Sequence, residues 1–97
     1  MKCRQYNFYL ELDGVPQLMT AVEDHVVSRY NDLPHFLGLT VIKADVGPRA
    51  EVTISSFWED DLEGSEQDAS QFIDEIVRLT GDNPSRRVFD IMYATFG

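Results

Sequence analysis

A chain of 97 residues with 43% hydrophobic side chains has the size of one globular domain, residues 1–97, and a composition that excludes disorder. Seventeen acidic against eight basic side chains give a formal charge of −9, so neither nucleic acid nor a membrane is expected as a partner. The single cysteine, Cys3, leaves no internal disulfide and no cysteine metal site, and a reducing cytoplasm is the expected compartment.

The opening "MKCRQYNFYLEL" alternates and carries polar residues, so it reads neither as a signal-peptide core nor as a membrane span. Residues 3–12 are predicted to be a strand, with Tyr6, Phe8, Leu10 and Leu12 on one face and Gln5, Asn7, Tyr9 and Glu11 on the other. "LDGVPQ" breaks it, and Pro16 suits a helix's first turn, where its missing N–H costs nothing. Leu18, Met19, Val22, Val26, Tyr30 and Leu33 then recur at helical steps, ending near Asp32 before Pro34.

Two strands follow at residues 35–45 and 50–58, joined by "VGPR" as an antiparallel hairpin. A second helix is expected from a Ser65 cap, with Asp68 in capping-box position and a stripe of Ala69, Phe72, Ile73, Ile76 and Val77. Gly81 ends it, and "RRVFDIMYATF", residues 86–96, is the predicted last strand.

The order β-α-β-β-α-β specifies an α+β, ferredoxin-like arrangement: a four-stranded antiparallel sheet with two helices on one face. A chain this short buries only roughly 60–65% of its unfolded surface, so a second subunit would add stability. Apolar residues on both sides of the strands, such as Phe57 beside Trp58 and Met92 beside Ile91 and Tyr93, point to a homodimer through the uncovered sheet faces.

Few residues suggest chemistry. "EDDLEGSEQD" imitates a calcium loop, but Glu59 stands where the motif needs Asp and Ser70 where it needs Glu, so it reads as a solvated loop. His25 and His35 lack metal-ligand spacing, and no nucleophile elbow, Walker loop or dinucleotide fingerprint is present. No metal and no cofactor is expected. His25 reads either as a boundary histidine or as a base facing a helix–sheet cleft. Asn7 and Trp58, on strands expected to be neighbours, read either as a satisfied strand residue and a core plug or as donors lining that cleft.

"LPHFLGLTVIKAD", "EVTISSFWEDD" and "RRVFDIMYATF" together resemble the antibiotic-biosynthesis monooxygenase superfamily of dimeric α+β barrels, with His35 where that family usually has glycine. The resemblance spans essentially the whole chain and implies a sheet-to-sheet homodimer with a pocket between each sheet and its helices. It implies a cofactor-independent monooxygenase that oxidises a small phenol- or quinol-like aromatic with O₂, with Asn7 and Trp58 as catalytic hydrogen-bond donors. His25, Tyr30 and Tyr93 would be the pocket or proton-transfer candidates. The family's haem-degrading branch uses an Asn, a Trp and a helix-two His; Asn7 and Trp58 match the first two, and the histidine is missing. Haem binding is therefore a further alternative. A third reading keeps the fold and gives up catalysis: a dimeric ligand-binding or interaction module.

Overall fold

The structure is a computed structural model that describes residues 1–59 and 66–95; the side chains of residues 25–28 and 66–72 lie outside that description. Its strands are β1 (Lys2–Glu11), β2 (Phe36–Val46), β3 (Arg49–Trp58) and β4 (Ser85–Asp90), and its long helices are α1 (Val15–Ser28) and α2 (Glu66–Thr80). All pairings are antiparallel, in the order β2-β3-β1-β4. This is the ferredoxin-like α+β fold expected from the sequence, with β1 and β3 central. Among the described residues, no helix is long and apolar enough to cross a membrane.

The alternation of strand side chains decides which residues meet the helices. Tyr6, Phe8 and Leu10 of β1 stand opposite Ile54, Val52 and Ala50 of β3. Together with Leu18 and Val22 of α1 and Ile76 of α2 they form the buried core. Leu18 and Val22 are one helical turn apart, so α1 contributes a single stripe. The Ser65 cap and the acidic run at 60–65 lie outside the described residues, as do the side chains of Asp68, Ala69 and Phe72.

Glycines set two boundaries. Gly47, at φ +60°, makes the β2–β3 turn, and Gly81, at φ +80°, ends α2 by donating its N–H to the Val77 carbonyl at 2.7 Å. His35 also has a positive φ, +67°, directly before β2. Its carbonyl accepts the Glu59 N–H at 2.8 Å, and its Nδ1 lies 3.1 Å from Glu59 Oε2.

The last strand is shorter than expected. Asp90 stands opposite Lys2, with which it forms an ion pair, and the Ile91 N–H donates to the Met1 carbonyl. The β1–β4 ladder ends at that pair, and residues 91–95 lie beyond the strand. At the opposite edge nothing flanks β2 on its outer side among the described residues. There Lys43 Nζ bonds Asp45 Oδ1 at 2.6 Å, and both face the helix side of the sheet, because they stand opposite Val52 and Ala50.

Candidate functional site

Trp58 ends β3 on the helix-covered face and is 1% exposed. Its indole N–H donates to Ser56 Oγ at 2.8 Å, two residues back on the same face, and Ser56 Oγ in turn donates to the Arg4 carbonyl at 3.4 Å. Tyr30 and Phe36 meet the indole edge-on, with centroids 5.7 and 5.2 Å away, and meet each other at 5.5 Å. Such pairs each contribute about 0.5–1.5 kcal/mol beyond area burial. The large aromatic at the strand's end therefore plugs the corner where the short helical turn Tyr30–Asp32 passes into β2. Its one polar group is already satisfied within the core.

Asn7 lies on the other face. Its Nδ2 donates to Thr53 Oγ1 at 3.0 Å across the β1–β3 ladder. Asn7 is opposite Thr53 and Trp58 opposite Lys2, so the two residues also sit five rungs apart, roughly 17 Å along the strands. The expectation that they line one helix–sheet cleft is corrected by this register: an odd-numbered β1 residue and an even-numbered β3 residue point to opposite sides. Neither an aromatic substrate nor haem can touch both from one pocket, so the residues present do not fit a haem site of the expected kind.

The remaining candidates do not converge either. Tyr30 is buried against Trp58, whereas Tyr93 is 83% exposed in the segment after β4. The side chain of His25 lies outside the described residues. One hollow between α1 and the sheet, about 240 Å³, is walled by Val15, Leu18, Met19, Val41 and Val52 with the Lys43 stem at its rim. Another, about 450 Å³, lies between Val22 and Glu23 of α1 and the start of β2; neither Asn7 nor Trp58 lines either one. Among the described residues no three His, Cys, Asp or Glu side chains are grouped to hold a metal ion.

The bare face is more polar than the sequence pattern suggests. Gln5, Asn7, Thr53 and Ser55 occupy its middle, and Tyr9 donates to Glu51 at 2.8 Å. That bond and the carboxylate's charge push the Tyr9 phenol above its ordinary pKa. Arg49 Nε donates to Glu11 Oε1 at 3.1 Å, and the Arg87 guanidinium lies 4.7 Å from the centre of the Phe89 ring. Cys3 is buried on this face, and desolvation raises its thiol pKa, which keeps it protonated and a poor nucleophile.

Apolar groups collect at the corners. Along β2, Ile42 beside Thr53 and Val46 at the hairpin end are 63% and 51% exposed. At the other, Met1, Leu37, Gly38, Leu39, Thr40 and Phe57 line a bowl of about 500 Å³. A register irregularity between Phe36 and Gly38 puts Leu37 at its rim, and a Cβ on Gly38 would meet nothing within 4 Å. Sequence reasoning missed this bowl, because a bulge leaves no reliable mark in a run such as "HFLGLTV".

No protein-family model and no curated protein matches the chain. Among solved structures it is similar to the solution structure of the C-terminal domain of the MgtC protein from Mycobacterium tuberculosis. The identity is 9% and the TM-score 0.55, over 92% of this chain and 86% of that one. At that identity the likeness shows the ferredoxin-like fold and carries no activity across.

Proposed function

We propose that the chain is a non-catalytic interaction module that pairs with a second copy of itself across the bare sheet face. The observation that carries this reading is electrostatic. By register, the bare face presents Glu11 and Glu51 against Arg49 and Arg87, a formal charge of zero in a chain of −9. The acidic surplus thus lies elsewhere, and two copies can approach through this face without like-charge repulsion. The exposed Ile42 and Val46 add apolar area to bury there.

The resemblance to dimeric α+β barrels agrees with this pairing. The oxygenase chemistry it implies needs donors converging on one developing oxyanion, and Asn7 and Trp58 on opposite faces withdraw that support. Sedimentation velocity at micromolar concentration and 0.15 M salt tests the pairing. The native chain is expected to run as a two-copy species, and Ile42→Glu, which places a charge on the face, as one copy with unchanged circular dichroism. A native chain that runs as one copy would refute the proposal.

A further inference from the structure

We infer that, within this pairing, the segment after β4 docks Met92 and Tyr93 into the apolar bowl of the second copy. This inference rests on the pairing proposed above and adds the contact that locks it. Met92 and Tyr93 are 94% and 83% exposed, more than any other large apolar side chains described. They lie outside their own sheet: the β1–β4 ladder ends at the Lys2–Asp90 pair, and the last ladder-like bond is from Ile91 to Met1.

The bowl lies at that same end of the molecule. Phe57 stands opposite Cys3 and Gly38 opposite Phe57, one or two rungs from where the segment departs. Neither residues 91–95 nor the bowl lining contains a charged side chain, so apart from the Met1 α-ammonium at its edge the contact is mainly between apolar side chains. Met1 forms the near wall of the chain's own bowl and its carbonyl takes the Ile91 N–H, so the segment departs beside that bowl and the bowl extends from Met1 across Phe57 to β2. Neither side chain occupies it, as their exposure shows. A two-fold pairing of bare faces lets each copy give one segment and receive one, which is the self-complementary exchange such symmetry requires.

Cysteine pairing distinguishes the outcomes. In a Cys3→Ala background, copies carrying Tyr93→Cys are mixed with copies carrying Thr40→Cys, and Met92→Cys is mixed with Leu37→Cys as a second pair. All four positions are exposed, so the fold should tolerate the changes. Mild oxidation is expected to give a mixed disulfide between the two variants, identified by mass, for at least one pair. Tyr93→Ser with Met92→Ser should weaken self-association by about tenfold or more, as the loss of a buried aromatic implies. Failure of both cross-links while sedimentation still reports two copies would overturn the docking and leave the pairing intact. So would a disulfide formed within one chain carrying both cysteines. A single-copy native chain would overturn both.

Discussion

His35 and Trp58 close the same corner of the sheet, one through its backbone and one through its ring. His35 holds φ +67° so that its carbonyl can take the Glu59 N–H immediately beyond Trp58. Left-handed backbone costs an L-residue roughly 1–2 kcal/mol, and glycine escapes that cost at the expense of unfolded-state entropy. The exposed contact to Glu59 returns little. His35→Gly is therefore expected to stabilise the fold by about 0.5 kcal/mol, read as a higher urea midpoint at unchanged slope. Trp58 was legible only as a choice between plug and pocket wall. Which side of the strand it faced, and that Ser56 would take its N–H, depended on register and partners that a single sequence does not print.

At the scale of elements, hydrophobic alternation and turn residues located the central pieces well. Gly47 with Pro48 marked the hairpin, and the Tyr6, Phe8, Leu10 face identified the core side of β1. The last strand was over-extended, because "IMYATF" has strand-forming composition and the limit came from elsewhere. The β1–β4 ladder ends at the Lys2–Asp90 pair. The Asn7–Trp58 cleft failed for a similar reason: neighbouring strands were inferred correctly, but the pleat sends the two side chains to opposite sides. Amide hydrogen exchange gives this a direct check. Residues of β1 and β3, paired on both sides along much of their length, should be strongly protected, while the amides of 92–95 should exchange at close to the unstructured rate in dilute, single-copy solution. Protection there under those conditions would mean that the segment has a partner within its own chain.

Across the whole molecule, charge is distributed by face. The bare side of the sheet is neutral and the acidic surplus is carried by the rest of the surface, which under the proposed pairing would favour approach through this face over others. The Lys43–Asp45 pair bears on how far such assembly can go. β2 is an eleven-residue outer strand with exposed Ile42 and Val46, the kind of border on which further chains can stack. Charged side chains on an outer strand disfavour the addition of further strands, and the Lys43–Asp45 pair is expected to act in that way on β2. Lys43→Val with Asp45→Val should remove the gatekeepers and give thioflavin-positive aggregates on prolonged incubation, under conditions in which the native chain stays clear. On this expectation, a short ion pair at the rim guards the sheet's open edge.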